Sequence, residues 1–228
     1  DAMGRNGKNP MNDVRVRRAI AHSIDREGIV KALVQGESIV VNSLCFPSQF
    51  GCTQDVPTYD YNPEKAKKLL AEAGYPNGFE TPFLAYRNRD YAEAMINNLN
   101  AVGITVKFEY LKYAAFRDKV QSGGAPFNFG TWGSYSINDV SAITSHFQSG
   151  GKDDYSKDPV VIKQLGIGDT SVDANVRKAA YKAALSRISG EAFMFPLWSY
   201  NTWYAFSKDV DFNPTPDEIP RFFTAKWM

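Results

Sequence analysis

The middle of the chain alternates strand-like and helix-like patterns, and this alternation constrains the fold more than any other feature. Segment 104–111 is apolar at every second position, which predicts a strand, and 114–121 has the spacing of a short amphipathic helix. A further strand is predicted at 127–132, and a strand around 83–86 with a helix at 91–102 precedes them. Strands that alternate with helices of about ten residues predict parallel pairing with right-handed crossovers, and hence an α/β fold.

In folds of this class, ligands bind just beyond the carboxyl ends of the parallel strands. Three segments are expected at that edge: Tyr86-Arg87, Lys112-Tyr113 and Trp132-Gly133-Ser134-Tyr135. The last of these offers aromatic faces and hydroxyls instead of a nucleophile or a metal ligand. Arg87 suits a carboxylate or phosphate in bidentate geometry. The edge therefore predicts binding of a mixed apolar and polar ligand.

Composition excludes several classes of protein. A hydrophobic share of 43% and a charged share of 22% are typical of soluble globular proteins. The net charge of +1 gives no field that would favour nucleic acid or an anionic membrane, and no run approaches the roughly 20 apolar residues of a membrane span. The first ten residues lack the apolar core of a signal peptide. We expect either that a signal has been removed or that the chain starts inside a longer protein.

The two cysteines, Cys45 and Cys52, lie close together in a segment rich in Pro, Gly and Ser. Such spacing suits a small disulfide-closed surface loop in an oxidising compartment. Two unrelated thiols in a cytosolic protein are the alternative. Zinc is not expected, because the only histidines, His22 and His146, are far from the cysteines and from each other.

Capping residues mark several helix starts. Asn12 or Asp13 precedes one helix, Asp25 precedes a second that is expected to stop at Gly36, and Asn62 followed by proline begins a third. Later segments predict a helix from Asn138 or Asp139 through Phe147, helices at 159–165 and 175–189, and strands at 193–197 and 202–206.

Signatures of catalysis are missing from the sequence. Neither a G-x-S-x-G elbow nor a phosphate-binding P-loop occurs. Asp153-Asp154 lacks the spacing of a calcium-binding EF-hand and predicts a solvated acidic turn. An α/β enzyme that uses the loop from Trp132 to Asp139 remains an alternative, and so does an interaction module that uses the aromatic C-terminal surface.

Several segments follow known patterns. Residues 13–30 (DVRVRRAIAHSIDREGIV) match D-x-R-V-R-x-A-I-x-x-x-I-D-R-x-x-I, and 61–76 (YNPEKAKKLLAEAGYP) are similar to Y-D-P-E-K-A-K-x-L-L-A-E-A-G-Y. Residues 99–106 (LNAVGITV) match L-x-x-x-G-I-x-V, while 177–188 and the later FPLW at 195–198 match a final long helix and strand. In this order, the segments resemble extracellular solute-binding proteins of family 5, the dipeptide-, oligopeptide- and nickel-binding receptors of ABC importers.

The resemblance implies a type II periplasmic-binding-protein fold, in which two lobes close on a solute around a hinge. Members are much longer than this chain, so residues 1–206 would form the second lobe, with a mixed, partly parallel sheet flanked by helices. Residues 207–228 would form a tail that returns to the missing first lobe. The implied partners are a peptide or peptide-like solute and the membrane subunits of an ABC permease, in the periplasm or on a lipoprotein. Neither a cofactor nor a metal is expected, and no catalysis.

The expected ligand-binding residues come from the strand ends and from the family's cleft-facing loop, which begins at the Trp of a G-x-W segment, here Gly130-Thr131-Trp132. Other interpretations stay open: Trp132 as a core residue, Arg87 as a surface charge, Asp139 as a helix cap. The predicted set is Arg87, Trp132, Ser134, Tyr135, Asp139, Trp198 and Tyr200.

One position departs from the peptide-binding branch of the family. There, the loop after the G-x-W tryptophan carries an aspartate that pairs with the free amino group of the peptide. Alignment on Trp132 puts Tyr135 at that position. A neutral phenol does not neutralise a buried ammonium. The resemblance therefore implies a solute without a free α-amino group, such as a sugar conjugate, a modified peptide or an opine-like compound, or else an anchor on the other lobe.

Overall fold

The computed structural model describes residues 1–5, 7–34, 36–133, 137–199, 201–215 and 219–228. Its regular elements are α1 (Val14–Ser23), α2 (Arg26–Leu33), α3 (Pro63–Glu72), β1 (Phe79–Ala85), α4 (Arg89–Ala101), β2 (Ile104–Tyr110), α5 (Tyr113–Ser122), β3 (Asn128–Phe129), α6 (Ser141–Phe147), α7 (Pro159–Thr170), α8 (Ala174–Gly190), β4 (Val210–Asp211) and β5 (Lys226–Trp227), with short 3-10 helices at Pro10–Asn12 and Phe222–Thr224.

The main sheet has the order β2-β1-β3, and both of its ladders are parallel, as the alternating pattern predicts. Strand β1 pairs with β2 along its whole length and with β3 through Leu84↔Asn128 and Ala85↔Phe129. From β1 the chain passes through α4 to β2 on one side, and then through α5 to β3 on the other side of β1. The strand order therefore reverses at β1, which is where ligand crevices form in sheets of this type. A separate antiparallel pair joins β4 to β5.

The carboxyl half of β1, residues 83–85, is buried on both faces, whereas Glu80 and Pro82 nearer its start are exposed. Phe83 and Ala85 belong to the first hydrophobic cluster, which α1, α3 and α4 complete, whereas Leu84 packs with Phe116 and Val120 of α5. A central parallel strand needs this all-apolar character because helices cover both faces. The second cluster is built around α7 and α8 and receives residues from the 44–56 loop and Val140.

The start of the sheet depends on a close approach between two turns. Gly78 has a φ of +76°, and a Cβ placed on it would overlap the carbonyl group of Gly103. The two glycines precede β1 and β2, so their contact lets these strands begin side by side. Any larger residue at position 78 would separate the strand starts.

Three of the predicted helix caps are confirmed, whereas α6 has Val140 as its N-cap instead of Asn138 or Asp139. Asp13 accepts a hydrogen bond from the amide of Arg15, Asp25 from Gly28, and Asn62 from Lys65. The predicted stop of the second helix at Gly36 is wrong, because α2 already ends at Leu33 and its C-cap, Val34, is extended.

Three arginines of α1 and α2 donate to backbone carbonyls of the distant 190–196 segment. Arg17 bonds to Glu191 O at 2.9 Å, and Arg18 bonds to Gly190 O at 2.7 Å. Arg26 bonds to Pro196 O at 3.1 Å. Arg17 and Arg26 are buried, and burial lowers the pKa of both from its usual value. These guanidinium groups join the first cluster to the chain that leaves α8.

Two late elements differ from the prediction. Segment 193–197 does not form a strand. The residue that follows it, Trp198, makes one isolated antiparallel bridge to Val40. The predicted strand at 202–206 is also wrong, since that segment has no regular structure. The apolar side chains of 193–197 pack on arginines instead of on a neighbouring strand: Phe193 lies 5.3 Å from the Arg17 guanidinium, and Phe195 lies 4.8 Å from that of Arg26.

The disulfide between Cys45 and Cys52 is present, which confirms the prediction from spacing. Its expected location in a surface loop is only partly right. Cys45 is 7% exposed and belongs to the second cluster, while Cys52 is half-buried against it. The bridge thus anchors its loop to the core. Across the described residues, no helix has both the length and the apolar character needed to cross a membrane.

Replacing Arg26 is expected to destabilise the protein strongly. Its guanidinium donates to the carbonyls of Val41, Tyr59 and Pro196 and to the side chain of Asn42. Arg26→Met leaves these acceptors unsatisfied, so we expect a loss of more than about 3 kcal/mol in the free energy of unfolding, measured by urea denaturation. Arg15→Met, at a side chain that is 46% exposed, should cost much less, because an exposed ion pair is screened by solvent. Equal losses in the two variants would contradict the role given to Arg26.

Candidate functional site

The carboxyl ends of β1 and β3 lie side by side, as the strand order requires. The hydroxyl of Tyr86, just after β1, is 3.1 Å from the hydroxyl oxygen of Thr131, just after β3. Arg87 Nη1 donates to the same Thr131 oxygen at 3.0 Å. Residues about 45 positions apart are thus brought to one edge, where the sequence places the binding surface.

Aromatic rings line this edge. The ring of Tyr86 lies 5.1 Å from that of Tyr113 and 4.8 Å from that of Phe116, both on α5. Tyr113 is 56% exposed, so part of this aromatic surface faces outward. Lys112, which precedes α5, has no side-chain cap interaction and is exposed. The second predicted segment therefore also reaches the edge.

Arg87 is exposed, and its guanidinium makes one hydrogen bond, to Thr131. The ring of Tyr86 lies 5.8 Å from it. Within the described ranges, no carboxylate forms an ion pair with Arg87. A cation held by a hydroxyl and an aromatic face keeps donors available for an anionic group.

Trp132 is half-buried. Its indole stacks on the ring of His146 at 4.3 Å and 24°, and it meets Phe147 edge-on at 5.1 Å. Its Nε1 donates to the carbonyl of Ala142 at 3.2 Å. These contacts with α6 orient the ring while leaving part of it exposed, which is neither a plain core position nor a free surface one.

Trp198 lies on the segment that follows α8. It pairs with Val40 through an isolated antiparallel bridge, and its ring meets Tyr91 of α4 edge-on at 5.7 Å. The other predicted site residues, Ser134, Tyr135 and Tyr200, lie outside the described residues.

A cleft of about 1220 Å³ extends between the strand-end edge and the segment after α8. Such a volume exceeds the roughly 300–1,000 Å³ of typical small-molecule sites. Trp132 and Trp198 line it, whereas Arg87 and Asp139 are not among its lining residues. Aromatic and apolar side chains dominate the wall, among them Phe46, Tyr86, Tyr91, Met95, Phe116, Phe127, Phe195 and Tyr204.

Asp139 is engaged inside the lobe. Its carboxylate accepts from the amide of Ser141 at 3.0 Å, from Arg177 Nη2 at 2.7 Å, and lies 3.2 Å from the hydroxyl of Tyr181. Burial alone would raise the pKa of Asp139, but the hydrogen bonds from Ser141 and Arg177 outweigh it and hold the pKa below its usual value. Direct contact with a solute would require these bonds to break, so the geometry favours a structural role for Asp139. It is not the N-cap of α6, which is Val140.

Tyr181, which the sequence does not single out, is the centre of this network. Its side chain is fully buried, and its hydroxyl lies 2.8 Å from Asp169 Oδ1 and accepts from Arg177 at 3.0 Å. The backbones of Gly51 and Gly168 lie against its ring so closely that a Cβ on either would overlap it. Burial is the main reason that the pKa of Tyr181 is raised to about 12. The signals in the sequence that could have pointed to Tyr181 were these two glycines and the acids Asp139 and Asp169.

The expectation of a solvated acidic turn at Asp153-Asp154 is wrong. Asp154 is fully buried and accepts hydrogen bonds from the amides of Gly150, Ser156 and Lys157. Asp153 forms a two-pronged pair with Arg117, in which Nη2 and Oδ2 are 2.9 Å apart.

The same region places His146 beneath Trp132. Among the described residues, the buried His146 Nε2 has no hydrogen-bond partner, and it lies 3.4 Å from Asp153 Oδ2. Among the residues that the structure describes, no group of three or more His, Cys, Asp or Glu side chains could hold a metal ion. The site thus combines aromatic faces, hydroxyls and Arg87.

A comparison with known families decides the identity of this fold. Residues 2–154 match the bacterial extracellular solute-binding proteins, family 5, in their middle region. The chain belongs to this family. Its strand-end edge and type II binding-protein fold are those that the sequence motifs imply.

Relatives with established names are binding proteins. The chain is 32% identical over 124 residues to heme-binding protein A of Haemophilus influenzae, covering 51% of this chain and 23% of that protein. It is 36% identical over 121 residues to the dipeptide-binding protein of Escherichia coli, covering 47% and 23%. A glutathione-binding protein of Escherichia coli matches at 33% over 87 residues, 38% of this chain and 17% of that protein.

Solved structures confirm the fold. HbpA2 from Haemophilus parasuis superposes with a TM-score of 0.81 at 25% identity, covering 97% of this chain and 46% of that one. A dipeptide-binding protein from Pseudoalteromonas, solved with Met-Leu, gives a TM-score of 0.84 at 24% identity, covering 99% and 47%. This family 5 chain therefore spans about half the length of the structures that it matches.

Tyr181 is expected to make stability sensitive to alkaline pH. The pKa of Tyr181 rises from 10 in the unfolded chain to about 12 in the folded one, because the folded protein favours the neutral phenol. The resulting contribution to the free energy of unfolding is present below pH 10 and is lost as the pH rises to 12. The free energy of unfolding should fall more steeply over that interval in the wild type than in Tyr181→Phe, measured by urea denaturation. Tyr61→Phe, at a side chain that is 48% exposed, should keep the wild-type slope. Identical slopes for all three proteins would contradict the assignment.

Proposed function

We propose that this chain forms one wall of the solute cleft in the substrate-binding component of an ABC importer. The solute is a peptide or a peptide-like small molecule, which the protein delivers to the permease. One observation carries the proposal: Tyr86 and Thr131 line the cleft where the order of the parallel strands reverses, and Arg87 bonds to the same Thr131 hydroxyl. Membership of family 5 supports it.

Names of similar proteins bear on the solute class. A Helicobacter pylori protein with 27% identity was solved with the peptide STSA, and AgaA of A. tumefaciens R10, with 28% identity, was solved with agropinic acid. Their TM-scores to this chain are 0.76 and 0.72. Both names fit a solute that carries a carboxylate, the group for which Arg87 is suited.

The proposal assigns residues 1–206 to the second of two lobes and 207–228 to a tail that contacts the first. The share of the structures that the chain covers, about 46% of HbpA2, supports a partner lobe. Apolar side chains in the tail support it as well: Phe222, Phe223 and Trp227 are 72%, 84% and 83% exposed. Such a patch is costly to leave in water and suits burial against another surface.

A location outside the cytoplasm, in the periplasm or on a lipoprotein, completes the proposal. The Cys45–Cys52 disulfide supports it, because such bridges persist in oxidising compartments. An enzyme is not proposed, because the named relatives are binding proteins and Asp139, the acid of the alternative site, is bonded to Arg177 and Ser141.

Arg87→Gln is expected to weaken solute binding by at least about tenfold in the full-length protein that contains this chain, because a charge-assisted bond to the solute carboxylate is lost. Isothermal titration calorimetry with a panel of peptides and opine-like acids measures the change. The matched control is Arg89→Gln, two residues on, whose guanidinium pairs with Glu93. An equal effect of both variants, or none of Arg87→Gln on any solute that binds, would contradict the role of Arg87.

The solute is expected to lack a free α-amino group. Tyr135 occupies the position of the family's aspartate, and the two acids near α6, Asp139 and Asp153, are paired with Arg177 and Arg117. An unpaired ammonium in a closed cleft costs several kcal/mol, on the order of a thousandfold in affinity.

Titration of the full-length protein with free and N-acetylated forms of one peptide tests this expectation. The acetylated form should bind at least as tightly as the free form. A strong preference for the free amine that survives in Tyr135→Phe but is lost in Asp139→Asn would show that Asp139 is the anchor and that the protein is an ordinary peptide receptor.

A further inference from the structure

Residues 45–52 form the loop that the disulfide closes, which we call the bridge loop. It lies directly against residues 137–140, which precede α6. The amide of Phe50 donates to the carbonyl of Asn138 at 3.1 Å, and the carbonyl of Phe50 accepts from the amide of Val140 at 3.1 Å. One residue of the bridge loop is therefore held on both sides by the start of α6.

Side-chain bonds strengthen this contact. The Gln49 side chain accepts from the amide of Phe46 at 2.9 Å and donates through Nε2 to the carbonyl of Ile137 at 3.2 Å. Within the loop, the amide of Cys52 donates to the carbonyl of Gln49 at 3.1 Å. The same glutamine thus shapes the bridge loop and binds the neighbouring segment.

From there, a continuous series of contacts reaches Trp132. The amide of Ala142 donates to the carbonyl of Asp139 at 3.1 Å, and the carbonyl of Ala142 accepts from Trp132 Nε1 at 3.2 Å. Val140, between them, is fully buried in the second cluster together with Cys45. The disulfide and the cleft-facing indole are therefore the two ends of one bonded series.

We propose that the Cys45–Cys52 disulfide is a positioning element for the solute surface: through Phe50 and the start of α6 it holds the Trp132 indole in place. The backbone pairing of Phe50 with the segment before α6 is one isolated parallel bridge in an otherwise irregular loop, and such a short pairing is marginal by itself. The covalent bridge removes the alternative conformations that the loop would otherwise sample. The inference rests on the proposed function only in taking Trp132 as part of the solute surface.

A general loss of stability must be separated from a loss of positioning, because Cys45 also belongs to the second cluster. Val56 provides the control: it is half-buried against the same cluster and lies outside the bridge loop. Val56→Ala should loosen the cluster without touching the hydrogen bonds of Phe50 and Gln49.

The first test needs no solute. The chain has four tryptophans, so incorporation of 5-fluorotryptophan gives a ¹⁹F resonance for each, and Trp132→Phe identifies that of Trp132. The Cys45→Ala/Cys52→Ala variant should shift or broaden the Trp132 resonance and leave those of Trp203 and Trp227 unchanged. Hydrogen exchange should show protection of the Val140 amide reduced about tenfold or more, with the Leu84 amide unchanged.

A second route to the same state guards against a variant that fails to fold. A water-soluble phosphine reduces the bridge in the wild type: the disulfide gains two electrons and two protons, and the phosphine takes one oxygen from water. The same changes at Trp132 and Val140 are expected. Their absence in both samples, their appearance in Val56→Ala, or a collapse of all four tryptophan resonances on reduction would each overturn the proposal.

Solute affinity gives the last measurement, in the full-length protein. Loss of the bridge should weaken binding by at least about fivefold, whereas Val56→Ala should not. Absence of solute binding by the wild type would refute the proposed function and leave the ¹⁹F result standing. Unchanged affinity without the bridge, in a wild type that binds, would refute the positioning role alone.

Discussion

The packing of the lobe depends on the guanidinium groups of Arg17, Arg18 and Arg26. They lie between the first cluster and the chain that leaves α8, and they donate to carbonyl groups that no strand partner satisfies. A buried carbonyl without a donor costs as much as a lost hydrogen bond, so an irregular buried segment needs such partners. Arginine suits this role because its planar group presents five donors and is weakly hydrated. Lysine, with a compact charge, would satisfy fewer of these acceptors.

The contact between these arginines and the chain that leaves α8 explains why the segment with the pattern D-x-R-V-R has its particular composition. Asp13 caps α1, Val16 is fully buried in the first cluster, and Arg17 donates to the carbonyls of Met11 and Glu191. The segment therefore encodes the joint between the helices and the rest of the lobe. Its presence identifies the fold and not the solute, since relatives at 32 to 36% identity are named for different solutes.

Local signals were sufficient for much of the fold. Apolar periodicity predicted the parallel strands, and Asp13, Asp25 and Asn62 predicted helix starts. The strand ends predicted that the segments beginning at Tyr86 and Trp132 would share one edge. What failed depends on distant partners. Asp153 is buried because Arg117, 36 positions earlier, neutralises it, and Tyr181 bonds to Asp139 across 42 positions. Segment 193–197 looked like a strand because it is apolar, but it packs on arginines from the first thirty residues.

The order of the strands also bears on how such a lobe can diversify. Arg87 and Thr131 are set opposite each other by the two residue pairs that join β1 to β3, and everything between them, from α4 to α5, forms an excursion that returns to the same place. Insertions or deletions within that excursion leave the spacing of the two residues intact, provided that the ladder is kept. A slip of one residue in the ladder would move Thr131 by about 3.3 Å along the strand and turn its side chain to the opposite face. The two crossovers can therefore vary in length, outside the Lys112, Tyr113 and Phe116 positions that contribute to the same edge, without displacing Arg87 from Thr131.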